Sequence, residues 1–307
     1  MAQAPARGDG ATRRRGSSQS PAAPPPARPT GQLYVVATPI GTLDDLSPRA
    51  RSVLAQVDLI VAEDTRRVRK LLNHFSVATA ARSLHEHNEA HLVPHLLRRL
   101  QGGASLALVS DAGTPLLCDP GLRLVRACRE AGVPVRCVPG PSAITAALSV
   151  AGLPPYPFTF LGFLPAAPAA RKQLLDAHAA LPHTLVLFLS PHRLAAELAA
   201  CAAALGGERE AVLLAELSKV HERAEHASLA TLAELARAIT PRGEYTLVVG
   251  PPPPPPPPQV DAETAAEALA EALAAGLLLP EARRAAARRL GISRRELYAL
   301  LARLPRS

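Results

Sequence analysis

From Leu33 onward the chain alternates short apolar runs with amphipathic stretches, and that alternation restricts it to sheets covered by helices. The runs Leu33–Ala37, Asp58–Ala62, Ser105–Val109 and Pro134–Val138 predict strands. Ser47–Gln56, Thr65–His74, Ala90–Leu100, Gly121–Ala131 and Ser142–Val150 predict the helices between and after them. Strand and helix at this spacing give a mostly parallel sheet, and open sheets of that kind bind ligands beyond the carboxyl ends of their strands. A second series follows Ala151-Gly-Leu-Pro-Pro155: Phe158–Gly162, a helix near Ala170–Ala179, Thr184–Leu189, Arg193–Leu205, Ala211–Leu217, Ser228–Ile239 and Tyr245–Val249. It predicts a second α/β unit with a boundary near residues 152–157, and the cleft between two such units is a natural cofactor site.

Five segments result. Residues 1–31 are rich in Pro, Ala, Ser and Arg, with almost no large apolar side chain, and predict a disordered basic tail. Residues 32–152 and 153–250 are the two α/β domains. Eight consecutive prolines, Pro251–Pro258, make 251–260 a polyproline linker, a stiff spacer of about 25 Å. In 261–307, Ala262–Ala275, Glu281–Leu290 and Arg294–Arg303 predict helices, and Gly291-Ile-Ser293 gives the last two a helix-turn-helix character. Arg283, Arg284, Arg288, Arg289, Arg294 and Arg295 cluster there and point to nucleic-acid contact, against a plain solvated bundle.

The net charge of +8, carried almost wholly by arginine, favours a polyanionic partner, although a composition rich in Ala, Pro and Arg also follows from a GC-rich genome. No apolar run reaches membrane-spanning length, and no apolar segment follows the basic N-terminus, so the expectation is a cytoplasmic protein with no membrane contact. Cys118, Cys128, Cys137 and Cys201 lack metal-ligand spacing and read as reduced, structural thiols.

Four loops carry the candidate chemistry. Ser110–Gly121 reads S-D-A-G-T-P-L-L-C-D-P-G, whose glycines and prolines shape a backbone able to hold a small polar cofactor. Alone, such a loop reads better as a strand-to-helix turn with a helix cap, and it is the three further loops of this kind, each after an apolar run, that favour a ligand site. Leu33–Asp45 runs into a Pro/Gly turn without the G-x-G-x-x-G or G-K-[ST] of dinucleotide and phosphate loops. Ala62-Glu-Asp-Thr-Arg66 ends the second strand, where Asp64 is open to a helix-cap role and a functional one. Val138-Pro-Gly-Pro-Ser-Ala143 offers free amides at a helix start.

The motifs A-T-P-I-G-x-L-x-D-L-S, A-E-D-T-R, H-E-H-N-E (His85–Glu89), S-D-A-G-T-P-L-x-x-D-P-G, V-P-G-P-S-A, G-F-L-P (Gly162–Pro165), S-P-H-R-L (Ser190–Leu194) and E-L-S-K (Glu216–Lys219) follow one another in this order. In that order the chain resembles the RsmI family, ribosomal RNA small subunit methyltransferase I, over roughly residues 31–250. The resemblance implies a two-domain tetrapyrrole-methylase-like fold with mostly parallel sheets, S-adenosylmethionine (SAM) as cofactor and a homodimer. It also implies 2′-O-methylation of a decoding-centre cytidine in 16S rRNA, in the assembled small subunit. Cofactor contacts are implied at Pro39, Ile40, Asp111, Ala112, Gly113, Thr114, Leu117, Ser142, Ala143 and Leu189. Where the family usually has Asn, Glu and Arg, this chain has Thr42, Leu189 and Ala215, and Cys118 replaces a more common polar residue.

A ribose hydroxyl is a poor nucleophile until deprotonated, so a carboxylate, or a lysine of lowered pKa, is sought as catalytic base. Glu63, Asp64, Glu86, Glu216 and Lys219 are the candidates, each open to an ion-pair or cap reading. Arg66, His192, Arg193, Arg288, Arg289, Arg294 and Arg295 are candidates for RNA contact. His85 and His87 have no third ligand at metal spacing, so no metal is expected. Two other functions are weighed: corrinoid or porphyrin methylation on the same fold, disfavoured because Thr38-Pro-Ile-Gly41 lacks the glycine-rich first loop of those enzymes, and a non-catalytic helix-turn-helix regulator.

Overall fold

The computed structural model describes residues 31–253 and 260–303. Residues 1–30 of the expected basic tail and 254–259 of the proline linker lie outside the described residues. The chain divides into two compact units, one ending at Ser142 and one beginning at Ala143.

The first unit runs β1 (Leu33–Val36), α1 (Pro48–Gln56), β2 (Leu59–Ala62), α2 (Thr65–His74), β3 (Ala81–Ser83), α3 (Glu86–Gln101), β4 (Leu106–Val109), α4 (Leu122–Glu130) and β5 (Val135–Val138). Its five-stranded sheet has the order β3-β2-β4-β1-β5, and every pairing is parallel. The inner strands β2 and β4 read LIVA and LALV and are buried throughout, as sheets covered on both faces require. Ile60, Ala62, Ala107 and Val109 face α1 and α2 through Leu54, Leu71 and Leu72. The alternate residues Leu59, Val61, Leu106 and Leu108 face α3 and α4 through Leu96, Leu100 and Leu124. β3 has no counterpart in the sequence reading, because Ala81-Arg-Ser83 is a three-residue edge strand without an apolar run.

The second unit contains α5 (Ala143–Val150), β6 (Phe158–Phe163), α6 (Pro168–Asp176), β7 (Thr184–Leu189), α7 (Leu194–Leu205), β8 (Glu210–Ala215), β9 (Arg223–Ser228), α8 (Leu229–Arg237) and β10 (Tyr245–Val249). α5 packs on β10, within the unit that begins at Ala143. The sheet order is β6-β7-β10-β8-β9. It departs from a mostly parallel arrangement, because only β6 and β7 pair parallel and the other three pairings are antiparallel. β9 is a solvated edge reading R-A-E-H-A-S, with none of the apolar alternation that marks a strand in sequence. The helices α9 (Ala262–Ala274), α10 (Leu279–Arg289) and α11 (Arg294–Leu301) pack on one another through Ala265, Ala268, Ala286, Ala287 and Leu297. Among the described residues, no helix is long and apolar enough to cross a membrane.

All four cysteines are free thiols. Burial pushes the pKa of Cys128 up to about 11 and that of Cys201 up to about 12, which makes them inert packing groups. Cys118 and Cys137 are exposed, so the structural reading holds for only two of the four.

A buried arginine ties the second unit together without a carboxylate. Arg209 is 3% exposed and donates to the carbonyls of Gly250, Ala179 at 3.1 Å and His183 at 3.3 Å. Burial lowers its pKa, but three backbone acceptors compensate the guanidinium. Replacing it with Ala strands those carbonyls, and we expect Arg209→Ala to cost on the order of 3 kcal/mol, read by chemical denaturation.

Candidate functional site

Because β1, β2, β4 and β5 run parallel, the loops that leave them share one rim of the first sheet. Backbone zips two of these loops together. Thr38 N–H donates to Gly113 O at 2.9 Å, and Gly113 N–H returns to Thr38 O at 3.0 Å. The buried Thr38 hydroxyl donates to Ser110 O at 3.1 Å, and the Ser110 hydroxyl donates to Gly113 O at 2.9 Å. Gly113 has φ +79°, and a Cβ there would stand 3.4 Å from Ile40 Cγ2 and 3.9 Å from Pro141 O. Thr114 Oγ1 donates to Pro141 O at 3.3 Å, which brings in the loop after β5.

Pro39, Ile40, Ala112, Gly113, Thr114 and Ser142 therefore stand on loops that meet, with Leu117 exposed further along the longest of them. Apolar Pro39, Ile40 and Leu117 beside hydroxyls and a bare glycine backbone suit an adenosyl amino acid, which has an apolar ring system and a zwitterionic end. Ala143 opens α5 in the second unit, and Leu189 ends β7 with its side chain in that unit's core.

Asp111 is committed within the protein. Its Oδ1 accepts from Asp64 N–H at 3.1 Å, and its Oδ2 lies 3.5 Å from Arg67 Nε, so its carboxylate holds the β2 loop against the β4 loop. Asp64 accepts from Arg66 N–H at 2.8 Å and caps α2, while the Arg66 guanidinium grips the same carboxylate. The Arg66 hydrogen bonds hold the Asp64 pKa down to about 2.

Glu63, on the loop after β2, and Asp119, on the loop after β4, are acidic neighbours close enough to act on each other's ionisation. Burial first, then the charges of Glu63 and Asp111, push the Asp119 pKa up to about 7. Glu63 is raised by partial burial and by Asp111, with a smaller push from Glu86. Asp119 escaped the sequence reading. Its signal lay in the backbone around it, where Leu116, Cys118 and Gly121 all adopt positive φ and fold the second aspartate of the loop back toward Glu63. Glu89, the last residue of H-E-H-N-E, is buried and accepts from Arg123 N–H at 3.1 Å at the start of α4, a structural role.

In the second unit the motif residues are locked by ion pairs. Fully buried Glu197 accepts from Ser190 N–H at 2.9 Å and from Arg193 Nε at 2.8 Å, so Arg193 braces the S-P-H-R loop while His192 remains exposed. Lys219 Nζ lies 2.9 Å from Glu216 Oε1 and 3.1 Å from Glu244 Oε2. Burial lowers the Lys219 pKa, but the two carboxylates outweigh it and the net shift is upward, opposite to the lowered value a lysine base needs. The Lys219 hydrogen bond lowers the Glu216 pKa. Glu216 and Ser218 hold positive φ, and a Cβ on Gly243 would collide with Glu216 Oε1.

The family model described as Tetrapyrrole (Corrin/Porphyrin) Methylases matches residues 32–233. Among solved structures, a uroporphyrin-III C-methyl transferase from Thermus thermophilus complexed with S-adenyl homocysteine superposes with a TM-score of 0.53 at 21% identity. That match covers 72% of this chain and 97% of the other. Diphthine synthase gives 0.57 at 16% identity, covering 71% and 89%. These likenesses establish the fold, and the match over residues 32–233 places the chain in the wider tetrapyrrole methylase family. Curated relatives named ribosomal RNA small subunit methyltransferase I include one from Xylella fastidiosa, 49% identical over 71% of this chain and 81% of its own length. Another, from Synechocystis, is 43% identical over 88% and 97%. The chain belongs to the ribosomal RNA small subunit methyltransferase I family.

The raised Asp119 pKa has a measurable consequence. Folded Asp119 holds its proton to about 7, against an ordinary value of 3.8, so across that window the folded state binds more protons than the unfolded chain. Stability contributed by the pair therefore falls as pH rises. The Tm advantage of Asp119→Asn over the parent is expected to grow between about pH 5 and about pH 8 in calorimetric melts.

Proposed function

We propose that the chain transfers a methyl group from SAM to the ribose 2′-oxygen of a decoding-centre cytidine in 16S rRNA, acting on the assembled small subunit. The observation that carries this reading is the meeting of three strand-end loops at Gly113, in a chain 49% identical over 221 residues to a relative named ribosomal RNA small subunit methyltransferase I. When bound, SAM supplies a methyl group made electrophilic by its sulfonium. Pro39, Ile40 and Leu117 form the apolar wall of its site, and Ala112, Gly113, Thr114 and Ser142 orient its polar end. The Glu63–Asp119 pair is the proton acceptor for the ribose hydroxyl, since it alone among the acid–base candidates discussed is tuned toward neutrality. Asp64, Glu216 and Lys219 remain in their ion pairs. The protein works in the cytoplasm, where its ribosomal substrate would be, and as a homodimer, the latter supported by the exposed apolar side chains Val150, Tyr156, Phe158 and Phe163 on the second unit.

Tritiated methyl from labelled SAM, offered with small subunits that lack the modification, is expected on the ribose of one cytidine. Label on a base, or on no RNA, would refute the reading. Asp119→Asn is expected to lower kcat and flatten its rise with pH through about 7. Gly113→Val, which fills the space beside Ile40, is expected to abolish the heat of SAM binding in calorimetry.

A further inference from the structure

The C-terminal helices sort their arginines into two groups. Arg283 lies over the Tyr298 ring at 4.6 Å and donates to its hydroxyl at 2.6 Å, tying α10 to α11. Arg289 pairs with Glu271 and ties α10 to α9. Arg284, Arg288 and Arg294 instead line one open hollow of about 550 Å³, together with Ala287, Gly291 and Ile292. All three are exposed, and none has a hydrogen-bond or ion-pair partner among the described residues.

The surrounding charges leave the hollow positive. α9 carries Glu263, Glu267 and Glu271 with no basic residue, whereas α10 carries Arg283, Arg284, Arg288 and Arg289. Glu281 sits in the first turn of α10, and Arg288 in its last. Glu296, in the first turn of α11, accepts from Ser293 N–H at 2.7 Å and completes a capping box. Gly291, at φ +65°, lies in the turn that carries the chain from Arg288 to Arg294. Three guanidinium groups without counter-charges around one concavity repel one another, and a chain of phosphates relieves that repulsion with release of counterions. The planar fork of each guanidinium matches two phosphate oxygens.

We propose that this hollow docks consecutive backbone phosphates of RNA, gripping the substrate by shape and charge at a place that takes no part in methyl transfer. The proposal rests on the reading above that the substrate is ribosomal RNA, and it assigns Arg289 to the fold rather than to RNA.

The test uses the full chain, unmethylated small subunits and equilibrium binding over a range of salt. Arg284→Ala/Arg288→Ala/Arg294→Ala is expected to weaken subunit binding at least about tenfold and to make the slope of log affinity against log salt shallower by roughly 2. SAM affinity should not change. Arg294→Glu separates binding from folding, because a carboxylate in the first turn of α11 favours the helix yet should weaken subunit binding. Parent-like affinity and salt slope in both variants would overturn the proposal. If the parent binds subunits through these arginines but methylates no RNA, the methyltransfer reading fails while the docking site stands.

Discussion

The reciprocal backbone bonds between Thr38 and Gly113 join the loops after β1 and β4, and the first sheet sets the geometry they depend on. They need β1 and β4 side by side and parallel, with Val36 opposite Val109, so that both strands end at the same height. They need a residue at 113 that tolerates positive φ. The apolar alternation of β2 and β4, with helices on both faces, supplies the rigid sheet behind this junction.

Charged groups in this protein divide by whether the fold has already neutralised them. Glu89, Glu197 and Arg209 are buried and saturated by backbone amides, carbonyls or a single ion-pair partner, and they set the shape of loops. Lys219 between Glu216 and Glu244 belongs with them. The Glu63–Asp119 pair and the Arg284, Arg288 and Arg294 group are left electrostatically unfinished, one too acidic and one too basic for its own surroundings. Frustration of that kind persists where a ligand, a proton or a polyanion completes the balance.

The central strands, the covering helices and the loops that end the strands were legible because each depends on local pattern. LIVA and LALV leave little choice, and Ser47, Asp64 and Ser293 announce their helices as caps. β3 and β9 were illegible because an edge strand is held by its neighbour's hydrogen bonds and needs no apolar face. Asp119 was illegible for a different reason: its partner Glu63 lies far away in sequence, and only the turns at Leu116, Cys118 and Gly121 bring the two together. Arg193 and Lys219 stood out by motif and charge, yet the partners that fix them, Glu197 and Glu244, lie outside their motifs.

The absent side chain at Gly243 leaves room for a carboxylate that serves two donors at once. Glu216 occupies the volume that any larger residue at 243 would fill, and Glu216 in turn accepts the Glu244 amide and the Lys219 ammonium. A side chain at 243 would have to turn the Glu216 carboxylate aside, and the Glu244 amide and one side of the Lys219 ammonium would then lose the acceptor they share.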